Sequence, residues 1–390
     1  MIQPNATPLA IGLNLRVANL PRVDGNSAMT RSLAAALARN AGEHRLSYFF
    51  DSEPLDPFQR LPNVKHVVLR PFPFLNGALW RLGGGDPWYR FRLKLSRSWN
   101  RLDAAVYNAH EPLPIGRGPP GVAIVHDLAF MLPDARRHFP LDVIRHLDRW
   151  TAQSVHAATR LMAVSATTGT DLTRIYGVPE SKVAVLPNAH DRDVFHACIP
   201  ATEVEAALTE LGVEKPYFLH VGTAQPRKNI PAITRAFEGL VTKNRIPHNL
   251  VLVGGAGWDA AEGGSGEIPR SKRIIQLSST SNKQVACLMA GADALVIAGF
   301  YEGFGLPALE AMACGAPVVA ARAGALPEVV GDAGKYFDPH DPDELARIME
   351  SLAADESQRH ELSRRGLERA KAFSWDTTAR GLLRVIEEIA

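Results

Sequence analysis

Short apolar runs alternate with helical stretches along this chain, and the alternation starts twice. In the first half, apolar runs predict strands at Leu9–Leu15, Val64–Leu69, Val122–Val125 and Leu161–Val164. Helical periodicity covers Ala28–Arg39 and Leu141–Ala157. Strands that alternate with helices are typical of a parallel sheet covered by helices.

The pattern begins again in the second half. The strands predicted there are Tyr217–Val221, Leu250–Val253, Ala294–Ile297 and Pro317–Ala320. The predicted helices are Pro231–Leu240, Lys283–Ala290, Pro307–Cys314 and Pro342–Ala354. We therefore expect an α/β protein with two doubly wound units. Ligands of such sheets bind outside the carboxyl ends of the strands.

The polar stretch Ala201–Lys215 separates the two halves, and we place a linker near Phe195–Lys215. This predicts an N-terminal domain of residues 1–195 and a C-terminal domain of residues 196–373. Asp341 precedes a proline and two acids, which indicates a helix start. Ser374 is predicted to cap a last helix that runs to about Ile389.

Composition excludes several classes of protein. The chain has 390 residues, of which 46% are hydrophobic and 22% charged, as in ordinary globular proteins. The net charge of +2 argues against a dedicated nucleic-acid binder. No apolar run approaches the roughly 18 residues of a membrane span, and the start lacks a signal pattern, so we expect a cytoplasmic protein. Cys198, Cys287 and Cys314 have no metal or disulfide spacing.

The most informative segment is the turn from Glu302 to Glu310. Gly303 and Gly305 let the backbone approach a ligand and adopt positive φ. Pro307 suits the first helical position because it lacks an N–H that would go unsatisfied. The N–H groups at such a helix start favour an anion such as a diphosphate. Both carboxylates can accept hydrogen bonds from the hydroxyls of a bound sugar.

This segment, Tyr301–Val319, resembles the E-x7-E signature of the retaining GT-B glycosyltransferases of family 4, which include bacterial mannosyltransferases. The resemblance is strong over Val122–Ala390 and weak before it. It implies two Rossmann-like domains with a cleft between them and a C-terminal helix that crosses back to the N-terminal domain. It implies that Glu302 holds the transferred sugar and Glu310 the ribose. The other donor-binding residues it implies here are Gly303, Phe304, Gly305 and Leu306.

A basic motif follows the strand Tyr217–Val221. Gly222 is followed by Arg227 and Lys228 immediately before a predicted helix. A guanidinium and an ammonium at a helix start can clamp a diphosphate and stabilise a departing nucleotide. The segment resembles the family's G-x4-RKN phosphate motif. It departs from that motif at Thr223, where many relatives carry an additional Arg, so one phosphate contact is expected to be missing.

Two motifs belong to the N-terminal half. His126 and Asp127 follow the strand Val122–Val125, and the residues alone fit a packed histidine and a capping aspartate. The resemblance implies that His126 reaches the transferred sugar. Gly25, with Asp24 before it, weakly resembles the family's glycine-rich loop near the phosphate and the acceptor.

Two other patterns suggest different chemistry. Gly255 and Gly257 formally match the dinucleotide fingerprint G-x-G-x-x-A, but the glycine-rich continuation Glu262–Pro269 cannot form the helix that this fingerprint requires. The family's similar segment lines the nucleotide side of the cleft, so Gly255 is assigned to donor binding. Asp191 and Asp193 have the form of a D-x-D metal motif, yet the resemblance places them in a loop. We therefore expect no metal and no cofactor.

Residues 70–101 combine seven cations with seven aromatic side chains and one acid, Asp86. Basic residues with interfacial aromatics suit an anionic membrane surface. Solvated cations on an N-terminal helix pair are the alternative. Binding of single-stranded RNA also uses such residues, but the nearly neutral chain disfavours it.

Together with the residues above, the resemblance implies a retaining transferase that moves a sugar to a lipid-linked or polysaccharide acceptor, with GDP-mannose as the favoured donor and mannose as the sugar. Surface polysaccharide or O-antigen synthesis at the inner face of the plasma membrane would be its setting. UDP-glucose, UDP-galactose and dTDP-rhamnose stay open as donors, because Leu277–Gln284 departs from the family's base-side loop. A hydrolase with paired carboxylates and an inactive nucleotide-sugar-binding subunit are two competing hypotheses.

Overall fold

The computed structural model describes residues 7–19, 25–55, 58, 63–70, 87–111, 118–255 and 271–390. The chain forms two compact units. Unit 1 comprises residues 1–131, 140–188 and 374–390, and unit 2 comprises residues 132–139 and 189–373. No helix among the described residues is long and apolar enough to cross a membrane.

The elements alternate as the sequence pattern predicts. The strands are β1 Ala10–Asn14, β2 Arg45–Phe50, β3 Val64–Val68, β4 Ala104–Asn108, β5 Gly121–Val125, β6 Arg160–Ala163, β7 Val183–Val185, β8 Tyr217–Val221, β9 Asn249–Val253, β10 Ile274–Leu277, β11 Ala294–Ile297, β12 Val318–Ala321 and β13 Gly334–Phe337. The helices are α1 Gly25–Asn40, α2 Pro87–Leu95, α3 Pro133–Arg136, α4 Leu141–Ala157, α5 Ala166–Tyr176, α6 Ala201–Leu211, α7 Ile230–Thr242, α8 Asn282–Gly291, α9 Leu306–Ala313, α10 Leu326–Val330, α11 Pro342–Ala354, α12 Glu356–Ala370 and α13 Trp375–Glu387.

Unit 1 contains a parallel sheet with the strand order β3-β2-β1-β4-β5-β6-β7. Ile11 of β1 pairs with Leu46 of β2 on one side and Ala104 of β4 on the other. Every residue of β4 and β5 is buried, as expected for strands with helices on both faces. The strand order reverses between β1 and β4, where ligands of open α/β sheets bind.

Unit 2 contains a second parallel sheet with the order β10-β9-β8-β11-β12-β13. Leu219 of β8 pairs with Val251 of β9 and with Leu295 of β11. The strand order reverses between β8 and β11. The Gly222 loop follows β8 and the Glu302 loop follows β11, so both motifs lie at this reversal.

The last helix, α13, packs on α1 in unit 1. Asp376 accepts hydrogen bonds from Arg39 at 3.2 Å and from Asn40 at 2.8 Å, and Arg160 pairs with Glu388 at 2.6 Å. The predicted return of the C-terminal helix to the N-terminal domain is therefore confirmed. Ser374 precedes α13, but its side chain makes no capping hydrogen bond, contrary to the prediction.

The region in which we placed the linker contains a helix. Within Phe195–Lys215 the chain forms α6, which buries Val204, Ala207 and Leu208 and ends at Gly212 with φ 64°. These apolar residues have helical spacing, but polar residues surround them in the sequence, so the helix was not recognised. The strands β2, β4, β7, β10 and β13 were also not predicted, because short or mixed runs give weak periodicity.

The basic and aromatic segment is partly core. Tyr89 and Trp99 are buried with Leu93 in a cluster around Phe49, and the Tyr89 hydroxyl donates to Asn14 Oδ1 at 2.7 Å. The prediction that these two rings are interfacial is therefore wrong, because they anchor α2 and the following turn to the sheet. Residues 71–86 of the segment lie outside the described residues.

Candidate functional site

The Glu302 loop joins β11 to α9 at the carboxyl edge of the unit 2 sheet. Gly305 has φ 94° and is the N-cap of α9, so the positive φ expected there is confirmed. Gly303 is not among the described glycines with positive φ. The helix begins at Leu306, so Pro307 occupies the second position rather than the first. Proline is still tolerated there, because the first turn has no intrahelical N–H partners.

A buried ion pair forms the centre of this edge. Lys228 Nζ lies 2.6 Å from Glu302 Oε1 and 2.9 Å from Oε2. The two side chains are only 14% and 10% exposed. Lys228 ends the short 3-10 turn Pro226–Lys228, and Asn229, with φ 55°, is the N-cap of α7. The β8 loop thus presents its ammonium group to the carboxylate of the β11 loop.

Arg227 adds a second cation to the same carboxylate. Its Nη1 lies 3.9 Å from Glu302 Oε2, and its Nε donates to Gln225 Oε1 at 3.0 Å. The backbone carbonyl of Arg227 accepts from Phe300 N at 3.0 Å. One carboxylate and two cations therefore converge, which leaves a net positive charge for an anionic ligand.

Two glycines allow the close packing around Glu302. A Cβ at Gly299 would lie 2.9 Å from Glu302 Oε1. Gly324 has φ 55°, and a Cβ there would lie 2.3 Å from the Glu302 carbonyl oxygen. That carbonyl accepts from Ala325 N at 2.8 Å. The loop after β12 therefore fixes the backbone from which the Glu302 side chain extends.

The loops after β8 and β9 also meet at this edge. Gly222 N donates to Val253 O at 2.8 Å, and Ala224 N donates to Gly255 O at 3.1 Å. Gly222 and Gly255 are thus adjacent, as their common assignment to donor binding requires. Gly257 lies outside the described residues.

Glu310 lies on α9, in its second turn, and is half-buried. Burial, and to a smaller extent the negative charge of Asp191, raise the pKa of its carboxyl to about 7. Asp191 Oδ1 also accepts from Asp193 N at 3.0 Å. The pair that resembles a D-x-D motif is thus a turn, and its first carboxylate faces Glu310.

Phe304 occupies the same loop but points into the core. Its ring is 5% exposed and lies 5.7 Å from the ring of Phe373 in an edge arrangement. Its contribution to donor binding would therefore come from its backbone. Leu306 begins α9 and is half-buried.

In unit 1, His126 follows β5 and Asn108 ends β4. His126 is 7% exposed, and its Nε2 lies 2.8 Å from Asn108 Oδ1. An amide oxygen only accepts, so Nε2 carries the proton. Asp127 Oδ1 accepts from Ala129 N at 3.1 Å, which is the capping role that the residues alone suggested.

Gly25 is the first residue of α1 and is exposed. A Cβ there would have no atom of the described residues within 4 Å. The described structure therefore gives no steric reason for glycine at this position. Asp24, the other half of the motif, lies outside the described residues.

Comparison with known proteins identifies the family of this chain. The family model for glycosyl transferases group 1 matches residues 204–369, and the model for glycosyltransferase family 4 matches residues 23–194. The chain is 33% identical to O-antigen chain mannosyltransferase B of Escherichia coli over 303 residues, which cover 74% of this chain and 76% of that protein. The protein belongs to the family 4 glycosyltransferases.

Two other relatives extend the comparison of this glycosyltransferase. It is 32% identical to D-inositol 3-phosphate glycosyltransferase of Xylanimonas cellulosilytica over 243 residues, which cover 60% of this chain and 58% of that protein. Its fold matches sucrose-phosphate synthase of Thermosynechococcus elongatus with a TM-score of 0.77 at 21% identity, over 97% of this chain and 98% of that chain. The predicted GT-B fold and enzyme class are confirmed.

Sequence reasoning missed three residues of this glycosyltransferase that lie beside the Lys228–Glu302 pair or the loops that carry it. They are His220, Gly299 and Gly324. A polar residue within the apolar run of β8 was the available signal for His220. The two glycines gave no local signal, because their contacts lie in other loops of the unit.

Proposed function

We propose that this glycosyltransferase moves mannose from GDP-mannose to a saccharide acceptor and retains the anomeric configuration. The observation that carries the proposal is the buried cluster of Lys228, Arg227 and Glu302 at the strand-order reversal of unit 2. Its excess positive charge suits a diphosphate, and its carboxylate suits sugar hydroxyls. Mannose is favoured by the relationship to the O-antigen mannosyltransferase.

The proposed chemistry is front-face attack. The acceptor hydroxyl approaches C1 of the sugar as the bond from C1 to the diphosphate oxygen breaks. The leaving phosphate takes the hydroxyl proton, so no enzymic nucleophile is needed. Lys228 and Arg227 stabilise the charge that develops on the diphosphate. Glu302 holds hydroxyls of the donor sugar, and Glu310 accepts from the ribose hydroxyls. His126 remains a predicted sugar contact.

The proposed acceptor is a lipid-linked or growing polysaccharide, as in surface polysaccharide or O-antigen synthesis. We also propose that the enzyme acts in the cytoplasm at the inner face of the plasma membrane. Phe91 and Leu95 lie one turn apart on α2 and are 45% and 57% exposed. Lys94 and Arg97 beside them are exposed as well. Exposed apolar residues flanked by cations suit an anionic bilayer.

Incubation with candidate donors tests the function directly. GDP-mannose, UDP-glucose, UDP-galactose and dTDP-rhamnose are each supplied with and without a lipid-linked oligosaccharide, and the product is analysed by NMR. We expect an α-mannosyl product from GDP-mannose that requires the acceptor and is lost in Lys228→Met. Release of free sugar without acceptor would indicate a hydrolase, and binding without turnover would indicate an inactive subunit. Transfer from another donor would overturn the assignment of mannose alone.

A further inference from the structure

His220 is a polar residue in the otherwise apolar core of unit 2. It lies on β8, two residues before Gly222, and is 1% exposed. Its Nδ1 lies 2.9 Å from the carbonyl oxygen of Val296 on β11. Because a carbonyl only accepts hydrogen bonds, Nδ1 carries a proton. Burial lowers the pKa of His220 to about 4, so the ring is neutral near pH 7. Its Nε2 therefore presents a lone pair.

This lone pair has no hydrogen-bond partner among the described residues. A Cβ built on Gly222 would lie 3.3 Å from His220 Nε2 and 3.9 Å from Cε of Lys228. The lone pair and the end of the lysine side chain thus border the same small space above Gly222. Buried acceptors are normally satisfied, so an exception calls for an explanation. The hydrogen bond to Val296 satisfies Nδ1, but it does not explain why Nε2 is buried without a partner among the described residues.

We propose that His220 is a positioning residue for Lys228, and that its Nε2 lone pair orients the lysine ammonium toward the donor diphosphate. This inference rests on the proposed function of the Lys228 site. Glu302 accepts from this ammonium, and the proposed reaction also engages Glu302 with sugar hydroxyls. A neutral acceptor on the imidazole supports the lysine without adding a negative charge that would repel phosphate.

A matched pair of variants separates this role from packing. In His220→Asn the amide N–H can replace Nδ1–H toward Val296, but no atom occupies the position of Nε2. In His220→Gln the longer side chain can place its amide oxygen near that position. Both variants replace the ring with a smaller amide, so general loss of packing affects both. The Lys228→Met background shows whether His220 acts through the lysine.

The measurement is calorimetric binding of GDP and GMP, or of UDP and UMP where the wild type prefers uridine. We expect His220→Asn to weaken diphosphate binding by about fivefold, the scale of one hydrogen bond. Monophosphate binding should be unchanged, and His220→Gln should stay near the wild type. In the Lys228→Met background, His220→Asn should cause no further loss. Equal weakening of both nucleotides, equal effects of Asn and Gln, or a full additional loss in that background would overturn the inference.

A second measurement does not depend on the fold of the Asn variant. In the 15N spectrum of histidine-labelled wild type, the His220 Nε2 resonance, assigned by its loss in His220→Gln, should shift when the diphosphate is added. The shift should be absent in Lys228→Met, and an unchanged resonance in the wild type would overturn the inference. If no nucleoside diphosphate binds to the wild type, the proposed function fails and the inference falls with it. If the diphosphate binds and these signatures are missing, only the role of His220 is refuted.

Discussion

Replacement of Lys228 by Met should reduce both stability and turnover, and a second substitution should restore only the stability. Lys228 Nζ lies 2.6 and 2.9 Å from the Glu302 carboxylate oxygens. At about 3 Å and an effective dielectric constant of about 20, the attraction is roughly 5 kcal/mol. Desolvation of both groups opposes it. Removal of one partner of a buried pair costs about 3–5 kcal/mol, because it leaves an uncompensated charge.

Because Arg227 also lies near Glu302, we expect the loss of stability in Lys228→Met to be at the low end of about 3–5 kcal/mol. Arg227 Nη1 lies 3.9 Å from Glu302 Oε2 and partly replaces the missing cation. We therefore expect Lys228→Met to lose about 3 kcal/mol. The double variant with Glu302→Gln should lose much less than the sum of the two single variants, because neutral groups of similar size fill the site. Turnover should fall by about 10²–10³-fold in Lys228→Met and stay low in the double variant.

Urea unfolding and initial-rate assays on the wild type, both single variants and the double variant provide the test. The signal must report on unit 2, since a two-unit protein need not unfold in one step. Additive losses of stability would show that the two side chains are not coupled. Recovery of turnover together with stability would show that Lys228 matters only for folding, and the proposed phosphate clamp would be wrong.

Three further predictions concern the site and the surface. The pKa of Glu310 is about 7 in the folded protein and about 4.3 in the unfolded chain. As pH rises from about 4 to 7, the unfolded chain therefore loses this proton before the native state does. The free energy of unfolding should fall by up to about 3 kcal/mol over this pH range. Glu310→Gln should abolish this fall in thermal unfolding scans; an identical pH profile would contradict the assignment. Activity should survive excess EDTA, whereas a loss that Mn²⁺ restores would point to Asp191 and Asp193. Flotation with anionic liposomes should carry the enzyme upward at low salt and less at high salt. The double variant Lys94→Gln, Arg97→Gln should weaken binding to the liposomes by about 1 kcal/mol per cation. If the wild type does not float, a soluble acceptor is favoured.

The sequence by itself determined the architecture where local patterns are strong. The central strands β5, β8, β9 and β11 are nearly continuous apolar runs, and such runs identify strands buried on both faces. Asp341 predicted the start of α11, and its side chain indeed accepts hydrogen bonds from Asp343 N and Glu344 N. The glycine turns and the Arg227–Lys228 pair were also evident, because their chemistry lies within a few consecutive residues.

The helix α6 and the rings of Tyr89 and Trp99 show where local patterns were insufficient. Their burial depends on which surface they meet, and a polar or basic neighbourhood in the chain does not reveal that surface. Phe304 is similar, since the turn that carries it suggests a ligand contact while its ring packs on Phe373.

Only the tertiary structure decided the contacts of the site. Lys228 and Glu302 are 74 residues apart in the chain, and they meet because β8 and β11 are neighbours in the sheet. The same neighbourhood sets the bond from His220 to Val296 and the narrow space at Gly299. Glu310 and Asp191 also come from distant segments of the chain and interact only in the folded protein. Hydrophobic periodicity encodes the elements one by one, whereas ion pairs, pKa values and close approaches depend on distances that exist only after the elements have packed.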